Sequence, residues 1–480
     1  MIIKNRAELL SHGHVAGRRA VLDILETGLA AGDPYENVTK CVRIEGGKLI
    51  VGNETFRISP MDGSTHPDRP RPFDLDAPLV FDLDKVGDIF VVGGGKAAQR
   101  QAEGLEAVLG DLIVDGQVNA KKGDTIRLKR IPVTLAGHPL PDEDSVIGAR
   151  RIVEIEHRAQ KGDIVFYSES GGGSALMTLP APGLTLQDLQ DVNRVLYFEH
   201  GAPMPVANAV RGLMSVLRLK HSRHVGDATL IQICTEERPP HWGAFLNGTP
   251  RSGVDDFQHA IDLLHEYDSW DEIPEAARRF LLRADPAHQL LKGEEWWDRP
   301  HFRFRIMGPE VMLDAAQARA RELGLDARIL ISSLSSVDAR AIGEMAGYLG
   351  HEVEMIGQPC PAPCAWLIGG ELVVPTGKGG GVGGRNQEFA LAAAARIVGS
   401  ERIVIGSADS DGRDGPTEHA GAIIDGGTMA RAASMGLDGL DALRRHDSNT
   451  LLKATGDAIH TGVLYTNVQD LRVVYVSGMA

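Results

Sequence analysis

The stretch DIFVVGGGKAAQRQAEGLEAVLG, residues 88–110, joins an apolar run to three glycines, a lysine and a helix-like segment. It predicts a short buried strand at Ile89–Val92 and a helix from about Lys96. The backbone N–H groups of such a turn, with the positive end of the following helix, form a site for an anion. Lys96 adds a full positive charge, which suits a transferring phosphoryl group or a carboxylate.

Two other interpretations of this turn stay open. The run GGGKAA, residues 93–98, fits the dinucleotide fingerprint G-x-G-x-x-A, and Asp115 follows the turn by about 20 residues. NAD(P) binding is therefore an alternative to phosphate or carboxylate binding. A turn without any ligand is the third interpretation. The Walker A pattern does not occur in the sequence.

Strand-like and helix-like segments alternate along most of the chain, which indicates βαβ units and a mostly parallel sheet. Further strands are predicted at Ile131–Ala136, Asp163–Tyr167, His301–Met307, Ala327–Ile331 and Leu471–Val476. Helices are predicted from about Val146 with Ser145 as the cap, within residues 183–201, at Pro309–Leu323, and at Val337–Tyr348 with Ser335 or Ser336 as the cap. Residues 251–300 read as a charged helical connector, and a hairpin is predicted at Gly369-Gly370.

Two more glycine-rich loops and one acidic turn follow strand-like runs. The second glycine loop of the chain is SESGGGS, residues 168–174, and the third, Gly377–Gly384, leads into Arg385 at a helix start. Both can bind anions, or they can be a crossover loop and a surface arginine. The acidic turn carries Asp409, Asp411 and Asp414, a pattern that suits either magnesium or a cluster of Asx turns.

The composition of the chain limits the classes of protein to which it can belong. The chain has 480 residues, a net charge of −15 and 43% hydrophobic residues, so two or three domains are expected. The acidic balance argues against nucleic acid or an anionic membrane as a partner, and no apolar run reaches the roughly 20 residues of a membrane helix. Four cysteines are too few for a disulfide framework, and the N-terminus lacks the apolar core of a signal peptide. A cytoplasmic protein is expected.

Seven stretches together resemble one family. They are GGGKAA, AGHPLPDE, SGGGSALMTLPAPGLTLQD, KGGGVGGRNQEFALA, DGRDGPTEHAGAIIDGGT, HDSNTLLKATGD and TNVQDLRV. In this order they resemble the class II glycerate kinases, the glycerate 2-kinase family with a DUF4147 region and a C-terminal MOFRL domain. The resemblance implies an α/β fold with two domains: a Rossmann-like parallel-sheet domain with the helical connector (residues 1–295) and a smaller MOFRL-type α/β domain (residues 296–480). The active site would lie in the cleft between them.

The resemblance also implies an activity, namely phosphoryl transfer from ATP, with Mg²⁺, to the 2-hydroxyl of D-glycerate. The family's catalytic lysine and arginine would be Lys96 and Arg385. We expect Gly93, Gly94, Gly95, Ser170, Gly171, Gly172, Gly173, Ser174 and Asn386 to bind nucleotide or phosphate, Asp411 and Asp414 to bind the metal, and His138, Lys220 and Asn467 to contact substrate. A small anionic hydroxy acid is the expected partner, and a homodimer is left open.

One segment, Lys220 to Gly253, departs from the family pattern. Lys220 is followed by His221 and Ser222, where the family has two glycines, and the later run PPHWGAF introduces Trp242. This departure predicts an acceptor that differs from D-glycerate or extends beyond it, unless the segment is a surface insertion away from the cleft. An NAD(P)-dependent hydroxypyruvate or hydroxy-acid reductase and a degenerate family member are the alternative functions.

Overall fold

A computed structural model describes residues 1–58, 78–202, 204–217, 220–236, 256–290, 299–376 and 380–479. The chain forms two compact units. The central unit comprises Pro34–Glu236 and the described part of Pro240–Ile306, and the terminal unit comprises Met1–Asp33 and Met307–Ala480. The sequence predicted one division, near residue 295, whereas the structure includes the first 33 residues in the same unit as the C-terminal block.

The helices of the described chain are α1 (Arg6–Leu9), α2 (Val15–Ala31), α3 (Pro34–Cys41), α4 (Ala98–Leu109), α5 (Glu143–Arg158), α6 (Gly173–Leu176), α7 (Leu186–Asn193), α8 (Met204–Met214), α9 (His221–Val225), α10 (Asp256–Glu266), α11 (Glu275–Arg283), α12 (Pro309–Glu322), α13 (Ala339–Ile356), α14 (Arg385–Arg396), α15 (Thr428–Ser434), α16 (Gly439–Arg444) and α17 (Ser448–Ala454). The strands are β1 (Val42–Glu45), β2 (Lys48–Val51), β3 (Leu79–Asp82), β4 (Ile89–Gly94), β5 (Ile113–Lys121), β6 (Val133–Ala136), β7 (Ile164–Glu169), β8 (Thr229–Thr235), β9 (His301–Met307), β10 (Asp326–Asp338), β11 (Cys364–Val373), β12 (Ile403–Asp409), β13 (Gly421–Asp425), β14 (Ala458–Ile459) and β15 (Asp470–Val476).

The central unit is built on a six-stranded sheet in the order β6-β5-β4-β7-β8-β9. The pairs β4–β5, β4–β7, β5–β6 and β7–β8 are parallel, which confirms the predicted parallel sheet. Numbered within the sheet, the strand order is 3-2-1-4-5-6, the order of the Rossmann fold. All six residues of β4 are buried, because helices such as α4 and α5 pack against this part of the sheet. A separate three-stranded antiparallel sheet holds β1, β2 and β3.

The terminal unit has a mixed six-stranded sheet in the order β10-β11-β15-β12-β13-β14. Only β10 and β11 pair in parallel among the registered strand pairs of this sheet; the others are antiparallel. Helix α2 contacts β12 and β15, and its Arg18 is fully buried against Asp425 and Asp457. This buried ion-pair cluster explains why the N-terminal helix belongs to the same compact unit as the C-terminal sheet.

Several local predictions differ from the structure. Helix α5 has Asp142 as its N-cap, and Ser145 is the third residue of the helix, where it completes a capping box with Asp142. Helix α13 begins at Ala339 and is capped by Asp338, whose side chain accepts from the N–H of Ala341, whereas Ser335 and Ser336 lie further back in strand β10. The predicted hairpin at Gly369-Gly370 is wrong, since both glycines lie inside β11 and pair with β15.

Helices α10 and α11 confirm the helical character predicted for residues 251–300, and both lie within the central unit. Residues 251–255 and 291–298, which include Trp296 and Trp297, lie outside the described residues. Within the described residues, none of the helices combines the length and the apolar composition that crossing a bilayer needs.

Candidate active site

The loops after β4 and β7 meet at the carboxyl edge of the central sheet. The backbone N–H of Lys96 donates to the carbonyl of Gly171 at 2.9 Å, and the N–H of Ala97 donates to Ser170 Oγ at 2.9 Å. Strands β4 and β7 are the adjacent pair at which the order of the sheet reverses. Ligands of doubly wound sheets bind at this switch point, so the two predicted glycine loops lie where an anion site is expected.

Gly172 brings the lysine and the histidine of the site together. Its backbone has a φ of +89°, and a Cβ added there would lie 3.1 Å from the His138 ring and 3.4 Å from Lys96 Cγ. A side chain at residue 172 would therefore be strained and would crowd both neighbours. The predicted residues Lys96, His138 and Gly172 are thus close together in space, although they are far apart in the sequence.

His138 lies in a positive field. Burial and the neighbouring charges of Lys96, Lys121 and Arg211 lower the pKa of His138 to about 3. The imidazole is therefore neutral at physiological pH, and it is too weak a base to match the pKa that general-base catalysis needs near neutrality. In this structure His138 is therefore a neutral group among cations.

Ser174 is held by a buried series of side-chain hydrogen bonds. Its hydroxyl donates to Asn208 Oδ1 at 3.2 Å, and the same oxygen accepts from Arg211 Nε at 2.8 Å. Arg211 also donates to Asn193 Oδ1 at 3.3 Å. Asn208 and Arg211 are 4% and 9% exposed, so these buried hydrogen bonds hold the end of the second glycine loop in place.

Sequence reasoning missed Lys121, Asn208 and Arg211. Lys121 is the last residue of β5, and knowing the strand order would have placed it at the same edge as Lys96. Asn208 and Arg211 are on helix α8 and reach the site only through tertiary packing, so no local pattern marked them.

Asp115 does not occupy the position that NAD(P) binding requires. It lies near the amino end of β5, opposite Phe90 of β4, and it pairs with Arg151 at 2.6 Å and with Arg158. A Rossmann dinucleotide site needs its acidic residue at the carboxyl end of the second strand, where this chain has Lys121. The dinucleotide interpretation therefore lacks the carboxylate on which it depended.

Lys220 has a different environment from the one expected. Its ammonium group donates to the carbonyls of Leu213 at 3.2 Å and Ser215 at 2.7 Å, and the side chain is buried. Burial lowers the pKa of Lys220 to about 7. These contacts hold the end of α8, so the predicted substrate contact has no support from this geometry.

In the terminal unit, Arg385 is the first residue of α14 and faces three carboxylates. Nε and Nη2 donate to the two oxygens of Asp470 at 2.8 and 3.0 Å, Nη2 donates to Asp409 at 2.7 Å, and Nη1 lies 2.9 Å from Glu371. Burial disfavours the charged form, but these carboxylates outweigh it and raise the pKa of Arg385 well above its usual range. The edge that could grip a ligand bidentately is therefore occupied by Asp470.

The carboxylates of the acidic turn accept hydrogen bonds from nearby backbone amides. Both oxygens of Asp414 accept hydrogen bonds from the first turn of α14, and Asp411 Oδ1 accepts from the N–H of Arg413 at 2.8 Å. Within the described ranges, no three or more His, Cys, Asp or Glu side chains are arranged to hold a metal ion. The alternative interpretation, a cluster of carboxylates that bond to backbone amides, describes this turn.

Asn386 and Asn467 are both buried in the terminal unit. The backbone and side-chain amides of Asn386 bond to Asp414, and its oxygen accepts from Ser407 Oγ at 2.5 Å. The predicted nucleotide contact of Asn386 therefore has no support from its surroundings. Asn467 precedes Val468, whose N–H donates to Ser410 Oγ at 3.0 Å, so it lies beside the acidic turn. Residues 377–379 of the third glycine loop lie outside the described residues.

Comparison with known proteins identifies the class to which this fold and site belong. One family model, described as a domain of unknown function (DUF4147), matches residues 20–225, and the MOFRL family model matches residues 364–470. A glycerate 2-kinase from Pyrococcus horikoshii is 32% identical over 467 residues, which cover 95% of this chain and 98% of the relative. A D-glycerate 2-kinase from Thermotoga maritima is 33% identical, with 82% and 90% covered.

The crystal structure of a glycerate kinase from Thermotoga maritima is similar over 95% of this chain and 99% of that chain, with a TM-score of 0.73 and 28% identity. The chain belongs to the glycerate 2-kinase family, as its motifs predicted.

Proposed function

We propose that this protein transfers the γ-phosphoryl group of ATP to a hydroxyl of D-glycerate or of a related small hydroxy acid. The observation that carries the proposal is the junction of two glycine loops with Lys96 at the switch point of a Rossmann-ordered sheet. Membership of a family whose relatives are named glycerate 2-kinases supports it. Phosphoryl transfer depends on positioning and charge neutralisation more than on covalent chemistry.

In this proposal the central unit binds the anionic groups. Lys96 neutralises charge on the transferring phosphoryl group or on the substrate carboxylate, with Lys121 and Arg211 adding to the positive field. The loops that contain Gly93, Gly94 and Gly95 and Ser170 to Ser174 offer backbone amides and hydroxyls to phosphate oxygens. Neutral His138 orients the acceptor by a hydrogen bond, and no side chain is assigned as a strong base.

Arg385 remains part of the proposal in a narrower role. Asp470 and Asp409 occupy its Nε and Nη2 groups, so only Nη1, beside the half-exposed Glu371, is available to an anion. A carboxylate or phosphate group displaces Glu371 and accepts a single hydrogen bond from Nη1.

ATP as phosphoryl donor follows from kinase chemistry, and a magnesium requirement is proposed on the resemblance. Magnesium in such sites keeps several waters and is held by one or two carboxylates together with substrate phosphates. Both oxygens of Asp414 are occupied by hydrogen bonds from helix α14, so Asp411 stays the predicted protein ligand. The position of the site in a cleft between the predicted domains, the cytoplasmic location, the absence of nucleic-acid and membrane partners and a homodimer stay predictions.

Two parallel assays test the proposed function. The purified protein is given D-glycerate with Mg–ATP, and ADP release is measured; separately, hydroxypyruvate with NADH or NADPH is followed by absorbance. We expect ADP release with formation of a phosphoglycerate, whose phosphorylated carbon is identified by ³¹P NMR, and no oxidation of the nicotinamide. Nicotinamide oxidation without ADP release would establish the reductase, and turnover in neither assay would indicate a degenerate family member.

A further inference from the structure

We propose that Asp414 is a positioning residue that fixes the first turn of α14, and with it Arg385, and that it is not a ligand of magnesium. The part that concerns Arg385 in catalysis rests on the proposed function. The part that concerns the role of the carboxylate stands on the geometry of the terminal unit alone.

The carboxylate of Asp414 has no capacity left for a metal ion. Oδ1 accepts from the backbone N–H of Asn386 at 3.0 Å and from its side-chain amide at 3.3 Å. Oδ2 accepts from the backbone N–H of Gln387 at 2.8 Å and from its side-chain amide at 3.0 Å. A carboxylate offers about four acceptor positions, and the residue is fully buried. A cation at either oxygen would have to displace these bonds.

Helix α14 needs this carboxylate because it has no cap of its own. Its N-cap residue is Gly384, which makes no side-chain hydrogen bond to the helix. The first N–H groups of any helix lack partners inside the helix, and a carboxylate there is also favoured by the helix dipole. Asp414 therefore supplies from a distant loop what Ser, Thr, Asp or Asn at the N-cap supplies in most helices.

The close contact between the acidic turn and the start of α14 explains why residue 384, in the run GGRNQE, is a glycine. A Cβ added at Gly384 would lie 2.3 Å from Cγ of Asp414, so any side chain there would push the carboxylate away from the helix. The hydroxyl of Thr417 donates to the carbonyl of Asp414 at 2.8 Å and holds the turn in place. The acidic turn and the helix start are thus built as one unit.

This arrangement directs Arg385. It is the first residue of α14, and its guanidinium bonds to Asp470 and Asp409, which lie on β15 and at the end of β12. Asp414 bonds to the next two residues of the helix, so any movement of this turn moves the arginine relative to both carboxylates. We expect loss of Asp414 to act on Arg385 through the backbone, without a direct contact.

The test is Asp414→Asn, which keeps the shape of the side chain but turns one acceptor oxygen into a donor facing two other donors. Thermal unfolding and hydrogen–deuterium exchange of residues 384–389 are measured in EDTA without nucleotide. We expect the melting temperature to fall by about 2–8 °C and exchange of this segment to accelerate. With Mg–ATP and D-glycerate, kcat should fall tenfold or more while the Mg²⁺ concentration for half-maximal rate changes less than twofold.

Asp438→Asn is the matched control, because Asp438 caps α16 in the same unit by accepting from Leu440 and Asp441. It should leave kcat and the exchange of residues 384–389 unchanged. If Asp414→Asn does not fold in EDTA, Gln387→Met, which removes one of the bonds to Oδ2, should give faster exchange and a smaller loss of melting temperature; wild-type exchange in it would overturn the proposal.

Wild-type unfolding and exchange in Asp414→Asn, together with a tenfold higher Mg²⁺ requirement, would establish a metal ligand and overturn the proposal. The unfolding and exchange measurements need neither ATP nor turnover. If the wild-type protein proves not to be a glycerate kinase, these measurements still decide the role of Asp414.

Discussion

The bond that joins the two glycine loops uses the backbone N–H of Lys96, which alanine retains. Replacing Lys96 with alanine should therefore keep the loop in place while removing a positive charge from the site. Loss of one electrostatic donor to a transition state costs about 10²–10³ in rate, so we expect kcat to fall by that factor with a melting temperature close to that of the wild type.

Lys122→Ala is the control for this prediction, since Lys122 follows Lys121 in the chain but pairs with Asp142 and Asp144 at the surface. Its turnover should match the wild type. Near-wild-type turnover in Lys96→Ala would show that Lys96 is structural and would remove the central assignment of the site.

Replacing Arg385 with lysine tests whether the planar shape of the guanidinium or only its charge matters in the terminal unit. In Arg385→Lys, a single ammonium group cannot bridge Asp470 and Asp409 as the planar guanidinium does, and Asp470 is fully buried. We expect a large fall in kcat, by about tenfold or more, and a lower melting temperature, because a buried carboxylate loses hydrogen bonds. Steady-state kinetics and thermal unfolding measure both effects.

The same substitution at the other end of the helix, Arg396→Lys, serves as the comparison. Arg396 pairs with Glu344 at a partly exposed position, and such pairs contribute little. If Arg385→Lys behaves like Arg396→Lys in both measurements, Arg385 acts only as a point charge.

The low pKa of His138 gives a pH prediction whose sign follows from linkage. The folded pKa is about 3, below the ordinary value of 6.5, because of burial and the charges of Lys96, Lys121 and Arg211. Between these two values the unfolded chain binds more protons, so this contribution to the free energy of unfolding rises with pH through that window and is lost on acidification. The difference in urea-unfolding free energy between pH 7.5 and pH 5 should be larger in the wild type than in His138→Gln.

Direct titration of the His138 imidazole by NMR checks the cause of this effect. The ring should stay neutral down to about pH 4. Ionisation of His138 should therefore cause no fall in kcat near pH 6.5, and any such fall in the wild type should persist in His138→Gln. A titration midpoint between 6 and 7 would contradict the positive field that we assign to the site.

At the scale of elements, the sequence was informative where the signal is local. The apolar run, the glycines and the following amphipathic stretch predicted β4, its turn and the helix that begins at Ala98. Residue types that serve two purposes misled the prediction. Asp142 and Ser145 are both good caps, and only the backbone shows that the helix begins at Glu143.

The wrong hairpin at Gly369-Gly370 and the two interpretations of the acidic turn have the same origin. Gly369-Gly370 looked like a turn, but its pairing with β15 joins residues about a hundred positions apart, which no local pattern reveals. Carboxylates at a strand end suit either a metal ion or backbone amides. Choosing between them required knowing that α14 begins beside Asp414.

At the scale of the whole molecule, an acidic protein must attract an anionic substrate. The chain carries a net charge of −15, yet Lys96, Lys121 and Arg211 surround His138. At physiological ionic strength the Debye length is about 8 Å, so distant surface carboxylates are screened while these neighbouring cations act on a bound anion. Local placement of charge, which composition cannot show, therefore decides what the protein binds.

The structure locates part of the segment Lys220 to Gly253, which departs from the family pattern. The side chains of His221 and Ser222 point into the unit, where they bond to Glu156 and His301. Strand β8 then carries the chain to the carboxyl edge, where Glu236 lies 2.9 Å from Arg303. Residues 237–255, including Trp242, lie outside the described residues.

We therefore expect the acceptor to differ from D-glycerate or to extend beyond it. A phosphoryl-donor site changes little between related kinases, whereas an acceptor pocket must change to admit a different shape. The described part of the differing segment includes β8, whose carboxyl end lies at the edge where ligands of such sheets bind. Measuring kcat/KM for D-glycerate and for longer or differently substituted hydroxy acids tests this expectation, and Trp242→Ala should alter the ranking of acceptors while leaving KM for ATP within about twofold. If D-glycerate is the best acceptor by tenfold or more, which corresponds to about 1.4 kcal/mol of transition-state binding, the divergent segment does not determine specificity.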